Sequence, residues 1–343
     1  MTNLTVTVAT GRTNSLTDVV GLAVGHHQRI GDGWLTGTSV VRLPRDGAVA
    51  SVDVRGGAPG TRETDTLEPG SIIERVHAIV LTGGSAYGLA TASGVADALG
   101  AEGIGFRAGP EADAIVPIVP AAVIYDLGRG GNFALRPGSA EGRAALDAAS
   151  TGPVAEGCVG AGTGAHAGGL KGGVGSASQL VDGGWTVAAL IVVNAAGSAV
   201  APDGRLYAGA YDIDDVLVDA PRADPSALRG LLDASRRLSA NTTIGVLATD
   251  AALTKAQCRR LAMAGHDGIA RAIRPSHLLV DGDSLFAVST ERAPAPDQRQ
   301  VNALLAAAAD CVTRAIGHAM LAATSTRTMT SFRDLPRARA TPG

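Results

Sequence analysis

The residue type in this chain best placed for nucleophilic chemistry is a threonine pair, Thr242-Thr243, which follows Asn241 at the head of the apolar run "NTTIGVLATD" (241–250). A threonine hydroxyl is a weak nucleophile and needs a base. One available base is the threonine's own α-amine, free only when the residue heads a chain. Such an amine titrates at roughly 7.7–8.0, so a useful neutral fraction exists near neutral pH. An internal threonine must first be released. Attack of the Thr242 hydroxyl on the Asn241 carbonyl would give an ester, and water would then cut between Asn241 and Thr242. Taken alone, the tripeptide reads more simply as strand entry, because asparagine favours turns and threonine favours strands. The bond nevertheless lies where a charged, proline-containing linker (214–240) meets a core strand, the place such a cut requires.

A second candidate is "LLVDGDSLFAVST" (278–290). Asp281 and Asp283 are two apart, so an extended backbone projects both carboxylates from one face. One could hold an N-terminal ammonium while the other orients it or the hydroxyl. A DGD turn between strands is the simpler reading, but apolar runs on both sides suggest buried carboxylates, which need partners. Lys171, one of two lysines in the chain, sits among glycines in "GLKGG". It could offset the paired carboxylates, stabilise developing negative charge, or be a solvated loop residue. Asn194 ends the run "AALIVVN", as an oxyanion donor or as a strand-terminating turn residue. Tyr125 in "VIYDLG" carries the same two readings.

The glycine-rich stretches argue against a nucleotide. "LTGGSAYG" (81–88) lacks both the GxGxxG spacing and a GK[ST] ending, and in "KGGVGSAS" the lysine precedes the glycines. Ser85 directly follows Gly84 and so misses the GxSxG elbow, which leaves it as a helix N-cap. Seven histidines without HxxxH or HExxH spacing give no metal signature, so neither metal nor cofactor is expected. The net charge of -3 supplies no basic field for nucleic acid. No signal peptide or membrane span is read, and three cysteines without CxxC spacing read as reduced thiols of a cytoplasmic protein.

Around these residues the chain reads as a sheet-rich first half followed by alternating strands and helices. Strands are expected at 77–84, 184–197, 242–249 and 277–290. Helices are expected at 85–101, 139–150, 254–274 and near 297–324. The basic tail after residue 325 reads as a solvated, disordered extension. A sheet core covered by helices follows, but the pattern alone does not choose between a doubly wound sheet and a layered sandwich.

Seven stretches taken in order resemble one family. They are "NSLTDVVGLAVGHH", "VRGGAPGTRETD", "VLTGGSAYGL", "PAAVIYDLG", "GAGTGAHAGGLKGGVGSAS", "NTTIGVLATDA" and "LLVDGDSLFAVST". The chain is similar to the L-aminopeptidase/D-alanyl esterase family of self-cleaving hydrolases, which includes β-aminopeptidases and 6-aminohexanoate-oligomer hydrolases, over roughly residues 14 to 325. The resemblance implies a single α/β domain, a four-layer αββα sandwich like that of N-terminal-nucleophile hydrolases but differently connected. It implies self-cleavage into 1–241 and 242–343, fragments that stay associated, and a homotetramer. It implies that Thr242 is the nucleophile, that Asp281 and Asp283 orient it, and that Lys171, Asn194 and Tyr125 line the site. The substrate class would be short peptides or amino-amides. Aminopeptidase members commonly carry serine as nucleophile with serine and glutamate behind it. Thr, Asp and Asp are the set of the nylon-oligomer hydrolases, yet "GTGAHAGGLKGGVGSAS" looks closer to the aminopeptidases. Two rivals are an acyltransferase of the ornithine acetyltransferase type and an uncleaved scaffold.

Overall fold

The computed structural model describes residues 9–111, 113–182, 184–235 and 241–338. The last part of the expected linker (236–240) and the end of the tail (339–343) lie outside them. Among the described residues, strands of three or more residues are β1 (Ala23–Gly31), β2 (Trp34–Arg42), β3 (Ala48–Val54), β4 (Ala78–Thr82), β5 (Ala121–Val123), β6 (Gly173–Val181), β7 (Trp185–Asn194), β8 (Thr242–Ala251) and β9 (Ser284–Ala293). The α-helices are α1 (Thr91–Ala101), α2 (Ser139–Asp147), α3 (Pro225–Ser235), α4 (Lys255–Ala272) and α5 (Gln298–Ala322).

Two sheets form. One runs β1-β2-β4-β5 with the short strand Thr61–Arg62 at its edge, and the other runs β6-β7-β8-β9-β3 with Arg75–Val76 at its edge. Side-chain alternation along β7 shows how they stack. Ala188, Leu190 and Val192 join Val41, Ile79 and Leu81 of the first sheet in a core between the sheets. Val187, Ala189, Ile191 and Val193 face the other way, into a core shared with α4 and α5. On the far side of the first sheet, Val40, Ala78 and Val80 pack with Val95 and Leu99 of α1 and Leu146 of α2. The order of layers is therefore helix, sheet, sheet, helix. A doubly wound single sheet is ruled out.

Strands buried on both faces read as unbroken apolar runs, which is why β7 and β8 show no alternation in the sequence. β8 pairs antiparallel with β7 and parallel with β9, and α4 makes the crossover between β8 and β9. α4 starts where Thr254 accepts the Gln257 N–H and the Gln257 side chain returns to Thr254 N, a capping box. α5 is long and apolar enough to cross a membrane, but 78% of its most apolar stretch is buried. It serves as the core helix of the outer layer.

Three expectations need correction. β9 begins at Ser284, not residue 277, so Asp281 and Asp283 stand in the turn just before the strand. Ser85 does not cap a helix: it opens a 3-10 turn (Ser85–Ala90) at φ 51°, and α1 follows that turn. The segment after residue 325 does not hang free as far as residue 338. Phe332 is fully buried in the core beneath α5, Lys171 N donates to Thr330 O (2.8 Å), and Ala223 bridges Arg337. An aromatic side chain with a core to enter outweighs the basic composition around it.

Candidate active site

The register of β8 against β9 brings the two halves of the site together. Ile244 pairs with Ser284, and an isolated parallel bridge pairs Asn241 with Asp281. The same register therefore runs back through the turn, setting Gly282 beside Thr242 and Asp283 beside Thr243. Gly282 N donates to Asn241 O (3.1 Å), and Asn241 N donates to Val280 O (3.3 Å). The Thr242 hydroxyl also donates to Asn241 O. The carbonyl between Asn241 and Thr242 thus carries a backbone N–H on one side and the neighbouring hydroxyl on the other. Asn241, Thr242, Asp281 and Asp283 are all buried.

Each carboxylate is held by donors. Asp281 accepts Leu278 N (2.9 Å) and Ala196 N (3.3 Å). Asp283 accepts Thr243 N (2.6 Å), His277 N (3.2 Å) and His277 Nδ1 (2.7 Å), so the proton on that ring sits at Nδ1. Burial, and then the charge of Asp283, raise the Asp281 pKa above its usual value. The two carboxyls do not share a partner. Asp281 is tied to its own turn and the segment after β7, whereas Asp283 is tied to the residue following Thr242.

The glycine-rich loop "RGGAPG" has its explanation here. A Cβ on Gly56 would stand 2.2 Å from Asp281 O and 2.4 Å from Asp283 N. The loop lies directly on the DGD turn, with Ala58 N donating to Asp281 O (2.8 Å) and Arg55 N to Asp283 O (2.9 Å). Only glycine permits that approach.

Asn194 is the cross-strand partner of Thr242 in the β7–β8 pair. Directly opposed residues place their side chains on one face, with Cβ atoms about 4.5–5.5 Å apart. Arg129 Nη1 (2.5 Å) and His166 N (3.1 Å) both donate to Asn194 Oδ1, while its Nδ2 is buried without a partner among the described residues. Arg129 also donates to Gly164 O (2.6 Å). Tyr125 is half-buried beside Arg129. Asp126 is buried, accepts Gly84 N (2.7 Å), and has its pKa raised by desolvation.

Lys171 is fully buried and donates to Gly162 O (2.8 Å) and Gly172 O (2.7 Å). Burial brings its pKa down to about 8; Cys158 and Asp126 push it up, and Arg129 pushes it down. It is not a solvated loop lysine. It does not balance Asp281 and Asp283 either, because no ion pair joins them among the described residues and the carboxylate it senses is Asp126. Its positive charge stands with that of Arg129 on the Asn194 side; burial, and then these two charges, bring His166 down to about 4.

The structure thus gathers Asn241, Thr242, Asp281, Asp283 and Asn194 at one end of the sandwich, with Lys171 and Tyr125 behind Asn194. The sequence reading missed Arg129, His277 and Gly282. The residue types offered some signal, with an arginine two residues after Leu127 among glycines and a histidine four before Asp281, but their partners are remote in sequence.

Two facing sheets between helical layers are the architecture of the N-terminal-nucleophile hydrolase fold. The chain belongs to peptidase family S58, whose description matches residues 14–333. It is 46% identical over 345 residues to an uncharacterized aminopeptidase of Mycobacterium tuberculosis, covering 94% of this chain and 98% of that one. It is 34% identical over 295 residues to a 6-aminohexanoate-oligomer endohydrolase of Paenarthrobacter ureafaciens, covering 84% and 78%. Among solved structures, a Burkholderia sp. beta-aminopeptidase superposes with a TM-score of 0.70 at 26% identity, over 96% of this chain and 91% of that one. The L-aminopeptidase D-Ala-esterase/amidase of Ochrobactrum anthropi, described as a new variant among the Ntn hydrolase fold, gives 0.70 at 25% identity, over 97% and 92%. The protein is a hydrolase of peptide or amide bonds.

Proposed function

We propose that the chain cuts itself between Asn241 and Thr242, and that the freed Thr242 is the nucleophile of an amide hydrolase. The observation that carries this is the Asn241 carbonyl, contacted by the Thr242 hydroxyl and by Gly282 N–H. In the first step the Oγ1–carbonyl carbon bond forms and the C–N bond breaks. The hydroxyl proton passes to the leaving nitrogen, which becomes the α-amine of Thr242. Gly282 N–H stabilises the transient oxyanion. Water then hydrolyses the ester and leaves Asn241 with a free carboxylate.

In turnover, the α-amine takes the hydroxyl proton as Oγ1 attacks the substrate carbonyl and delivers it to the leaving amine, and water then hydrolyses the acyl ester to free the acid and restore Thr242. Asp281 and Asp283, in the turn beside Thr242, supply the negative charge that orients this amine. The buried Nδ2 of Asn194, without a partner among the described residues, supports a role as oxyanion donor, with Tyr125 near Arg129. Lys171 acts from behind Asn194 and adds positive potential. The relatives support short peptides and amino-amides as substrates, including oligomers of β- and ω-amino acids. The resemblance supports a homotetramer, which sedimentation equilibrium tests. The three free thiols support a cytoplasmic location.

The test of the nucleophile is Thr242→Ala against Thr242→Ser. The alanine variant is expected to remain one chain of 343 residues and to hydrolyse no amide, whereas the serine variant is expected to cut and turn over more slowly. An alanine variant with wild-type hydrolysis would remove Thr242 from the mechanism.

A further inference from the structure

Asn194 carries an ambiguity that a substrate-facing amide cannot tolerate, because its two ends differ only in whether they donate or accept. An oxyanion needs the N–H2 end. In this site both groups at the other end are obligate donors, the guanidinium of Arg129 and the backbone N–H of His166. Two donors facing one amide require its oxygen there and turn its nitrogen away, into the buried space beside Thr242. Of the two, Arg129 makes the shorter, charge-assisted bond. A cation on the carbonyl oxygen also draws electron density from the amide and makes its N–H a stronger donor. The arginine is itself fixed through Gly164 O (2.6 Å).

We propose that Arg129 is a positioning residue for amide hydrolysis, locking and polarising the Asn194 side chain so that its N–H2 meets the oxyanion formed at Thr242. Among the described residues Arg129 makes no hydrogen bond to Thr242 or to the Asn241 carbonyl, which is served by Gly282. Its outer face lines a cavity of about 680 Å³ with Trp34, Leu35, Thr163 and Thr324, which leaves a path for small molecules to reach it.

The inference rests on Thr242 being the nucleophile, and the experiment separates the two. With β-alanyl p-nitroanilide as probe, kcat and KM are measured for wild type, Arg129→Ala, Asn194→Ala and the double variant, with self-cleavage followed by intact mass. Arg129→Ala is expected to lower kcat about 10- to 100-fold, the scale of a weakened oxyanion donor, with KM held within about 2-fold. In the Asn194→Ala background the same change is expected to cost less than about 2-fold, because its target is gone. Guanidinium chloride at tens of millimolar is expected to restore part of the activity of Arg129→Ala and none of the double variant's. Arg129→Lys, which keeps the charge without the fork, is expected to fall between wild type and alanine and replaces the alanine variant if that one does not fold. Losses that multiply in the double variant, a raised KM at unchanged kcat, or a folded Arg129→Ala that fails to cut itself would each overturn the proposal. A wild-type chain that neither cuts itself nor hydrolyses the probe would instead sink the nucleophile reading and this one with it.

Discussion

Gly282 is the tight point directly beside the Thr242 hydroxyl, and replacing it with alanine isolates what that tightness does. The new Cβ would stand 2.6 Å from Ala58 O, 2.9 Å from Thr242 Oγ1 and 3.1 Å from Pro59 Cα. Ordinary contact begins at 3.4 Å, so the first approach is short by about 0.8 Å. Ala58 cannot retreat freely, because its N–H is bonded to Asp281 O (2.8 Å) on the same turn. The strain therefore falls on the Gly282–Thr242 contact, displacing the hydroxyl from the Asn241 carbonyl and the Gly282 N–H from its oxygen. A misplacement approaching 1 Å at a reacting centre can cost about 100-fold in rate, or about 2.7 kcal/mol. The added methyl should also lower stability by about 1–3 kcal/mol. The assay is a time course of intact mass from the moment of purification, paired with a denaturation curve. Gly282→Ala is expected to fold cooperatively and to convert about 100-fold more slowly than wild type. Conversion at the wild-type rate in a folded variant would refute the claim that the contact between these two strands sets the cleavage geometry.

Lys171 gives a pH dependence whose sign follows from its shift. Its pKa is about 8 in the folded chain against 10.5 for the free side chain. The folded state therefore releases the proton first, and the cost of burying the cation, about 3 kcal/mol, is present below pH 8 and disappears as the pH rises towards 10.5. Relative to Lys171→Met, the urea midpoint of wild type is expected to climb across that window, and a flat difference would contradict the buried charge. Phe332→Ala tests the docking of the C-terminal segment. Full burial implies a loss of about 3–5 kcal/mol, read as a lowered denaturation midpoint, whereas a free tail predicts no change.

Much of the architecture was legible before any coordinates, and the reason is local. The helices expected at 85–101, 139–150, 254–274 and 297–324 fall where α1, α2, α4 and α5 form, and β7 and β8 stand where the apolar β-branched runs do. Even so, a strand buried on both faces looks the same whichever neighbour it pairs with, so the sequence pattern left the doubly wound sheet and the sandwich equally open. The DGD turn was misplaced into a strand because its flanks are apolar, while the strand itself starts only where pairing with Ile244 begins.

The sequence by itself determined which residue types were available and where they fell. It set a threonine at a linker–strand junction, two aspartates two apart, one lysine among glycines and one asparagine at a strand end. Their chemistry depends on side-chain identity, which a sequence states outright. Only the tertiary structure decided who faces whom. The β8–β9 register sets Gly282 against Thr242, the β7–β8 register sets Asn194 across from it, and Arg129 arrives from the turn after β5 to orient that amide. It also moved Lys171 from the aspartates to the Asn194 side. Register and burial arise from pairing between distant segments, and hydrogen-bond direction and pKa follow from that pairing rather than from any neighbouring residue in the chain.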